Sequence, residues 1–399
     1  MIHFHSPDHD LLTESDKVLL GAAAPNLVRP YLSLWRNEHS TPLILLPEIA
    51  QATEVATVVM KDEGHRLGLG SFKALGGAYA VMTLFKRMLE AHLEDNISIA
   101  QLISPAARGF AASITFCCAT DGNHGKSVAA GARILGCRSV IFVHEGVTTA
   151  RAAAIGADEI VRVKGNYDMS VDEAERVSKE RGWLLVSDTS WEGYEEIPSL
   201  VAQGYTILAE EALDQIEELN IDPPTHVFLQ AGVGGFASSI SLHLNEALGH
   251  ENIKTIVVEP DRAACLFMSA KAGRLSSFSP TEPTIMAMLE CYTPSLVAWR
   301  ILNATATAFA TVSEEEAKDA MRKLAFREHP IVAGESGCAG LAGLLTVAGD
   351  PEVRRRLGLN DSSRVLLINT EGATDPASYE NIVGSTADDV LRNVANHSS

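Results

Sequence analysis

His226-Val-Phe-Leu-Gln-Ala-Gly-Val-Gly-Gly-Phe236 joins an apolar run that reads as a buried strand, His226–Gln230, to a helical pattern at Ser238–Leu248. Gly232, Gly234 and Gly235 crowd the turn between them. Backbone N–H groups at such a helix start, aided by the helix dipole, form a phosphate cradle that needs no basic side chain. The spacing is not G-x-G-x-x-G, and no basic residue follows it. Neither the dinucleotide fingerprint nor the P-loop therefore fits, whereas a monophosphate does. A turn serving packing alone would use the same glycines.

The same strand–turn–helix unit recurs outward from this stretch. Strands are expected at Thr115–Thr120, Ser139–Val143, Glu159–Val163, Leu184–Asp188, Thr255–Glu259 and Arg364–Asn369. Helices are expected at Lys126–Leu135, Val171–Arg181, Leu200–Leu219 and Glu314–Arg327. Strands alternating with helices predict an α/β fold, in which mostly parallel twisted sheets carry helices on both faces. Ligands in such sheets bind beyond the C-terminal strand ends. A chain of 399 residues exceeds one compact core, which predicts two lobes. The smaller is placed at 86–194 and the larger at 1–85 plus 195–399, with the active site in the cleft between them. Asn220–Pro224 and Ser276–Pro283 read as loops.

Hydrophobic residues make up 46% of the chain, enough for a large core. The net charge of −19, from 32 basic and 51 acidic residues, disfavours nucleic acid and anionic membranes as partners. No apolar run reaches the roughly 18 residues of a membrane span. Met1–Asp10 lacks the apolar core of a signal peptide, so a cytoplasmic location is expected. None of the six cysteines forms a C-x-x-C pair, and no metal-ligand cluster is visible. Cys265 and Cys291 flank a loop-like stretch from Lys271 to Pro283 and could approach each other.

Four further stretches concentrate unusual residues. Leu67-Gly-Leu-Gly-Ser-Phe-Lys-Ala-Leu-Gly-Gly-Ala-Tyr79 sets Lys73 among apolar residues and glycines. A buried ammonium is costly unless paired, and desolvation would lower its pKa, suiting a nucleophile and base. The glycines would let the backbone approach a planar ligand. The same lysine could instead snorkel off a helix start. Ala119-Thr-Asp-Gly-Asn-His-Gly125 reads as a ligand loop, although Asp121 or Asn123 would also serve as a helix cap. Val186-Ser-Asp-Thr-Ser-Trp-Glu-Gly-Tyr194 places Asp188 at a strand end, again a ligand group or a cap, with Trp191 and Tyr194 as rigid walls. Ile368-Asn-Thr-Glu-Gly-Ala-Thr-Asp375 ends the last strand and offers Thr370 to a ring nitrogen or to ordinary turn chemistry.

Together these motifs resemble the tryptophan-synthase-β family of pyridoxal 5′-phosphate (PLP) enzymes, fold type II. Ser71-Phe72-Lys73 followed by Gly76-Gly77-Ala78 is similar to the family's lysine segment. Gly122-Asn123-His124 looks like its substrate-carboxylate loop, and Gly232 to Gly235 like its phosphate loop. The motifs keep the family's order over most of the chain. Within the family, Asp121-Gly-Asn-His-Gly125, Ser187–Tyr194, Thr284-Ile-Met-Ala287 and Thr370–Asp375 resemble the diaminopropionate ammonia-lyase branch. Serine and threonine dehydratases usually carry a serine or small residue at the position of Asp121. A second amine on a diamino acid suits a carboxylate through a charge-assisted hydrogen bond, and Asp121 and Asp188 supply two candidates.

The resemblance implies α,β-elimination of 2,3-diaminopropionate to pyruvate and two ammonia. Lys73 would hold PLP as a Schiff base, with Phe72 packed on the ring and Asn123 at its hydroxyl. Gly232, Val233, Gly234, Gly235 and Phe236 would hold the phosphate, and Thr370 would face the ring nitrogen. Thr120, Asp121, Asp188 and His124 would bind substrate. Lys73 would serve as base for the L-isomer and Asp121 for the D-isomer. A homodimer is the family's usual assembly. The rivals are a serine/threonine dehydratase, a β-replacement synthase and a non-catalytic PLP-binding protein.

Overall fold

Eleven strands build two sheets in the computed structural model, which describes residues 1–35, 39–279 and 282–397. They are β1 (Ile2–Phe4), β2 (Leu43–Leu45), β3 (Thr57–Asp62), β4 (Thr115–Ala119), β5 (Arg138–His144), β6 (Glu159–Val163), β7 (Leu184–Leu185), β8 (His226–Gln230), β9 (Lys254–Pro260), β10 (Ala306–Val312) and β11 (Arg364–Asn369). The larger sheet runs β1-β10-β9-β8-β11-β3-β2. Its five inner strands are parallel, and β1 and β2 close the edges antiparallel. The edge strands have three residues each, which limits the unpaired backbone offered to other chains. The smaller sheet, β6-β5-β4-β7, is parallel throughout. Strand β8 is buried at every position, as expected for a parallel strand covered on both faces.

The predicted alternation is present, with shifted bounds. β7 stops at Leu185 instead of Asp188, because the Ser187 N–H donates to the Tyr194 hydroxyl at 3.1 Å rather than to a strand. Several helices begin earlier than their apolar periodicity: Asn123–Leu135, Tyr167–Arg181, Glu196–Glu218 and Gly235–Leu248. Their first turns are polar or glycine-rich and carry no periodic signal. Lys271 falls at the end of the helix Cys265–Ala272 rather than in a loop. Of the loop expected at Ser276–Pro283, residues 280 and 281 lie outside the described residues. All six cysteines are free thiols. Among the described residues, no helix is long and apolar enough to cross a membrane, and no acidic, histidine or cysteine group is arranged to hold a metal ion.

The helix Lys73–Leu93 packs against Asn123–Leu135 on one side and Glu196–Glu218 on the other. It runs past residue 85, so a boundary between 85 and 86 cuts a continuous helix. Glycines make this packing possible. A Cβ on Gly76 would sit 2.5 Å from Val201 O, and one on Gly77 would sit 2.9 Å from Ser127 Oγ. The glycines after Lys73 therefore seat its helix against its neighbours, a correction to the expectation that they admit a ligand. Gly76→Val is expected to cost about 1–3 kcal/mol through overpacking, read as a lower Tm in calorimetry.

A buried ionic cluster fixes the chain just before Lys73. Arg66 bonds Glu63 at 2.7 Å and Glu211 at 2.6 Å, and Lys61 reaches Glu211 at 2.8 Å. Such a cluster is weak evidence for stability, but it fixes geometry. It ties the end of β3 to the helix Glu196–Glu218.

Candidate active site

One cleft, with about 830 Å³ free of protein atoms, opens where the C-terminal ends of β4, β8 and β11 meet. Phe72, Lys73, Thr120, Asp121, Asn123, His124, Asp188, Gly232–Phe236 and Thr370 all line it. Trp191 and Tyr194 do not; they stack on each other at 4.4 Å. The Tyr194 hydroxyl donates to Leu185 O at 2.7 Å, so the pair braces the Asp188 loop instead of walling the cleft.

Lys73 is the first residue of its helix, and the Phe72 N–H before it donates to Thr370 O at 3.0 Å. This bond fastens the lysine to the end of β11. Lys73 Nζ lies 2.7 Å from Asp188 Oδ2. Burial alone would lower the lysine pKa, but the Asp188 carboxylate outweighs it and holds the pKa above the ordinary lysine value. The expectation of a lowered pKa is thus corrected, because desolvation was weighed without the partner. Burial would raise Asp188 in turn, yet the Lys73 ammonium keeps it well below the usual carboxylate range.

The β4–helix loop is organised by Thr120, whose hydroxyl accepts from the N–H of Gly122 at 3.0 Å and of Gly125 at 3.2 Å. His124 Nε2 lies 2.7 Å from Val186 O and must donate to it, which leaves Nδ1 unprotonated. Burial lowers the His124 pKa, so the ring is neutral. Asn123 Nδ2 donates to Glu371 Oε2 at 2.7 Å. Gln230 Nε2 donates to Thr370 Oγ1 at 3.0 Å, which orients that hydroxyl at the floor of the cleft.

At the glycine turn, Gly234 has φ +99° and stands at the N-terminus of the helix Gly235–Leu248, which has no side-chain cap. Its first N–H groups are left for a ligand. A Cβ on Gly235 would meet only Asp188 O, at 3.4 Å. Phe72 packs at 4.8 Å on Tyr205 and at 4.5 Å on Phe236.

PLP fits these residues. The cleft supplies an amine, a helix N-terminus for a phosphate and an aromatic wall. It is also lined by buried polar atoms with no partner: His124 Nδ1, Gln230 Oε1 and Tyr205 OH. Unpaired buried polar atoms are costly, and a polar ligand satisfies them.

Tyr167, Tyr205, Gln230, Cys291 and Glu371 also line the cleft. Tyr205 lies mid-helix with no local mark, and only the close crossing at Gly76 and Gly204 brings it in. Gln230 ends the apolar strand before the glycine turn, and a polar residue in that place was its available signal. Burial pushes Glu371 up to about 7 from 4.5. The unfolded chain releases this proton at lower pH than the folded one, so stability falls as pH rises from about 4.5 through about 7. Glu371→Gln in cofactor-free protein is expected to raise stability at about pH 8 by about 3 kcal/mol and to change little at about pH 4, read by urea unfolding.

The pattern of the pyridoxal-phosphate dependent enzymes matches residues 34–371, the span that holds every residue of the cleft. The chain belongs to that family, in the branch of the diaminopropionate ammonia-lyases. The diaminopropionate ammonia-lyase of Escherichia coli K12 is 36% identical over 385 residues, covering 94% of this chain and 95% of the relative. The crystal structure of the E. coli enzyme in complex with an aminoacrylate-PLP azomethine reaction intermediate superposes with TM-score 0.84 at 35% identity, covering 96% of this chain and 97% of that one. The E. coli enzyme in complex with D-serine gives TM-score 0.84 at 33% identity, over the same shares of the two chains.

Proposed function

We propose that this chain is a PLP-dependent carbon–nitrogen lyase that converts 2,3-diaminopropionate to pyruvate and two ammonia. The observation that carries the reading is the 2.7 Å contact of Lys73 Nζ with Asp188 in a cleft that also holds Asp121. Asp188 already binds an ammonium there, and a substrate with a second amine presents another. A hydroxyl substrate presents none.

Lys73 and the N–H groups at Gly232–Phe236 hold the cofactor, with Phe72, Asn123 and Thr370 against its ring. Bound PLP supplies the electron sink that makes the substrate Cα proton acidic. Lys73 takes this proton from the L-isomer and Asp121 from the D-isomer. Thr120 and His124 bind the substrate, and Asp188 holds its β-ammonium, which leaves as ammonia. The 2-aminoacrylate released takes up water and yields pyruvate and the second ammonia. The reading also includes two lobes, 1–85 with 195–399 and 86–194, with the active site in the cleft between them, and a cytoplasmic homodimer.

Pyruvate release from D- and L-diaminopropionate, run beside 2-oxoacid release from serine and threonine, tests the reading. Turnover is expected to be fastest with a diaminopropionate isomer. Faster turnover of serine or threonine would make the chain a dehydratase. A yellow protein that releases no ammonia from any of the four would make it a PLP-binding protein without this activity.

A further inference from the structure

Asp121 has a neighbour that the elimination chemistry does not use. His144 is the last residue of β5, which pairs with β4 in parallel register, Ala119 opposite Phe142. The pairing continues one step further, as the Thr120 N–H donates to Phe142 O at 3.0 Å. This register carries the end of β5 to the loop that bears Asp121. His144 Nε2 lies 2.9 Å from Asp121 Oδ1. That buried oxygen has no aligned hydrogen-bond donor among the described residues, and His144 Nε2 approaches it off the N–H axis. Loose alignment of this kind is common before substrate binds.

The other side of the ring decides which nitrogen carries the proton. The Gly146 N–H donates to His144 Nδ1 at 3.1 Å, so Nδ1 is the acceptor and Nε2 the donor. Gly146 also leaves the ring its space, since a Cβ there would lie 2.7 Å from Cε1. Strand register and a backbone N–H thus fix one tautomer and place Nε2–H beside Asp121 Oδ1, short of hydrogen-bond alignment.

We propose that His144 is a positioning residue for turnover of the D-isomer: its Nε2–H holds Asp121 Oδ1 and leaves Oδ2 to take the Cα proton. The Cα–H bond breaks, an Oδ2–H bond forms, and the electron pair stays with the substrate. The His144 proton does not move. The inference rests on the assignment of Asp121 as base for the D-isomer.

Three variants of the holoenzyme test it against both isomers. His144→Leu is expected to lower kcat for D-diaminopropionate about tenfold, the worth of one hydrogen bond to a charged group, with KM and L-isomer turnover nearly unchanged. His144→Gln carries an amide N–H where Nε2 was and is expected to restore most of that loss. Gly146→Ala displaces the ring without altering it and is expected to fall between the two. Ring-nitrogen NMR of holoenzyme labelled with ¹⁵N-histidine, assigned by the signal that His144→Gln removes, should show the Nε2–H tautomer of His144. Equal turnover by the leucine and glutamine variants, or a His144 that carries its proton on Nδ1, would overturn the proposal. If Asp121→Asn spares the D-isomer, the two-base assignment fails. If Asp121→Asn impairs the D-isomer selectively while His144→Leu does not, only the role of His144 fails.

Discussion

Lys73→Ala is expected to remove the protein's visible cofactor absorbance and to lower turnover of both diaminopropionate isomers by more than about 10³-fold, toward the upper end of what one positioned nucleophile and base supplies. Loss with both isomers is expected because Lys73 anchors the cofactor whichever side the proton leaves from. The substitution also has a cost separate from chemistry. Asp188 loses the ammonium at 2.7 Å that keeps it ionised, and Asp188 is only 11% exposed. Stranding one partner of a buried pair costs about 3–5 kcal/mol, and the 22% exposure of Lys73 to the cleft puts this case at the lower end. Lys73→Ala should therefore melt earlier than the unmodified chain when both are free of cofactor. Adding Asp188→Asn should recover most of the melting temperature and none of the turnover. Colour and turnover surviving in Lys73→Ala would remove the lysine from the mechanism.

What could be read without coordinates divides along physical lines. Parallel strands buried on both faces are continuous apolar runs, so His226–Gln230 and Arg364–Asn369 were legible to the residue; Glu159–Val163 was too, on its β-branched residues, although it is a partly exposed edge strand. β1 and β2 are short edge strands with little burial, and β10 is alanine- and threonine-rich, so none carried the same signal. The cleft residues were legible where they cluster at strand ends, in the stretches 119–125 and 230–236. The pairing of Lys73 with Asp188 was not, because 115 residues separate them and only the meeting of two sheets brings them together. The same holds for Tyr205 and for His144, each unremarkable in its own segment. Local pattern thus reports the elements and their ends. The electrostatics of the site depend on which ends meet, which is why burial alone predicted the wrong direction for the Lys73 pKa.

Asp121→Asn is expected to lower kcat for D-diaminopropionate by about 10²-fold or more while L-isomer turnover stays within severalfold, the range assigned to loss of one general base. The asymmetry follows from where the two bases are carried. Asp121 sits on the loop after β4, in the four-stranded sheet. Lys73 opens a helix whose preceding N–H is bound to Thr370 at the end of β11, in the seven-stranded sheet. A Cα held between them presents its proton to one side or the other according to its configuration. Asparagine matches aspartate in size and keeps an oxygen for His144 Nε2–H, so the loop should stay in place while the group loses its capacity to accept a proton. A loss confined to kcat with the D-isomer would identify proton transfer as the step removed, whereas a rise in KM would point to Asp121 as a binding group only. Equal losses with both isomers would refute the two-base assignment and leave Lys73 as the common base.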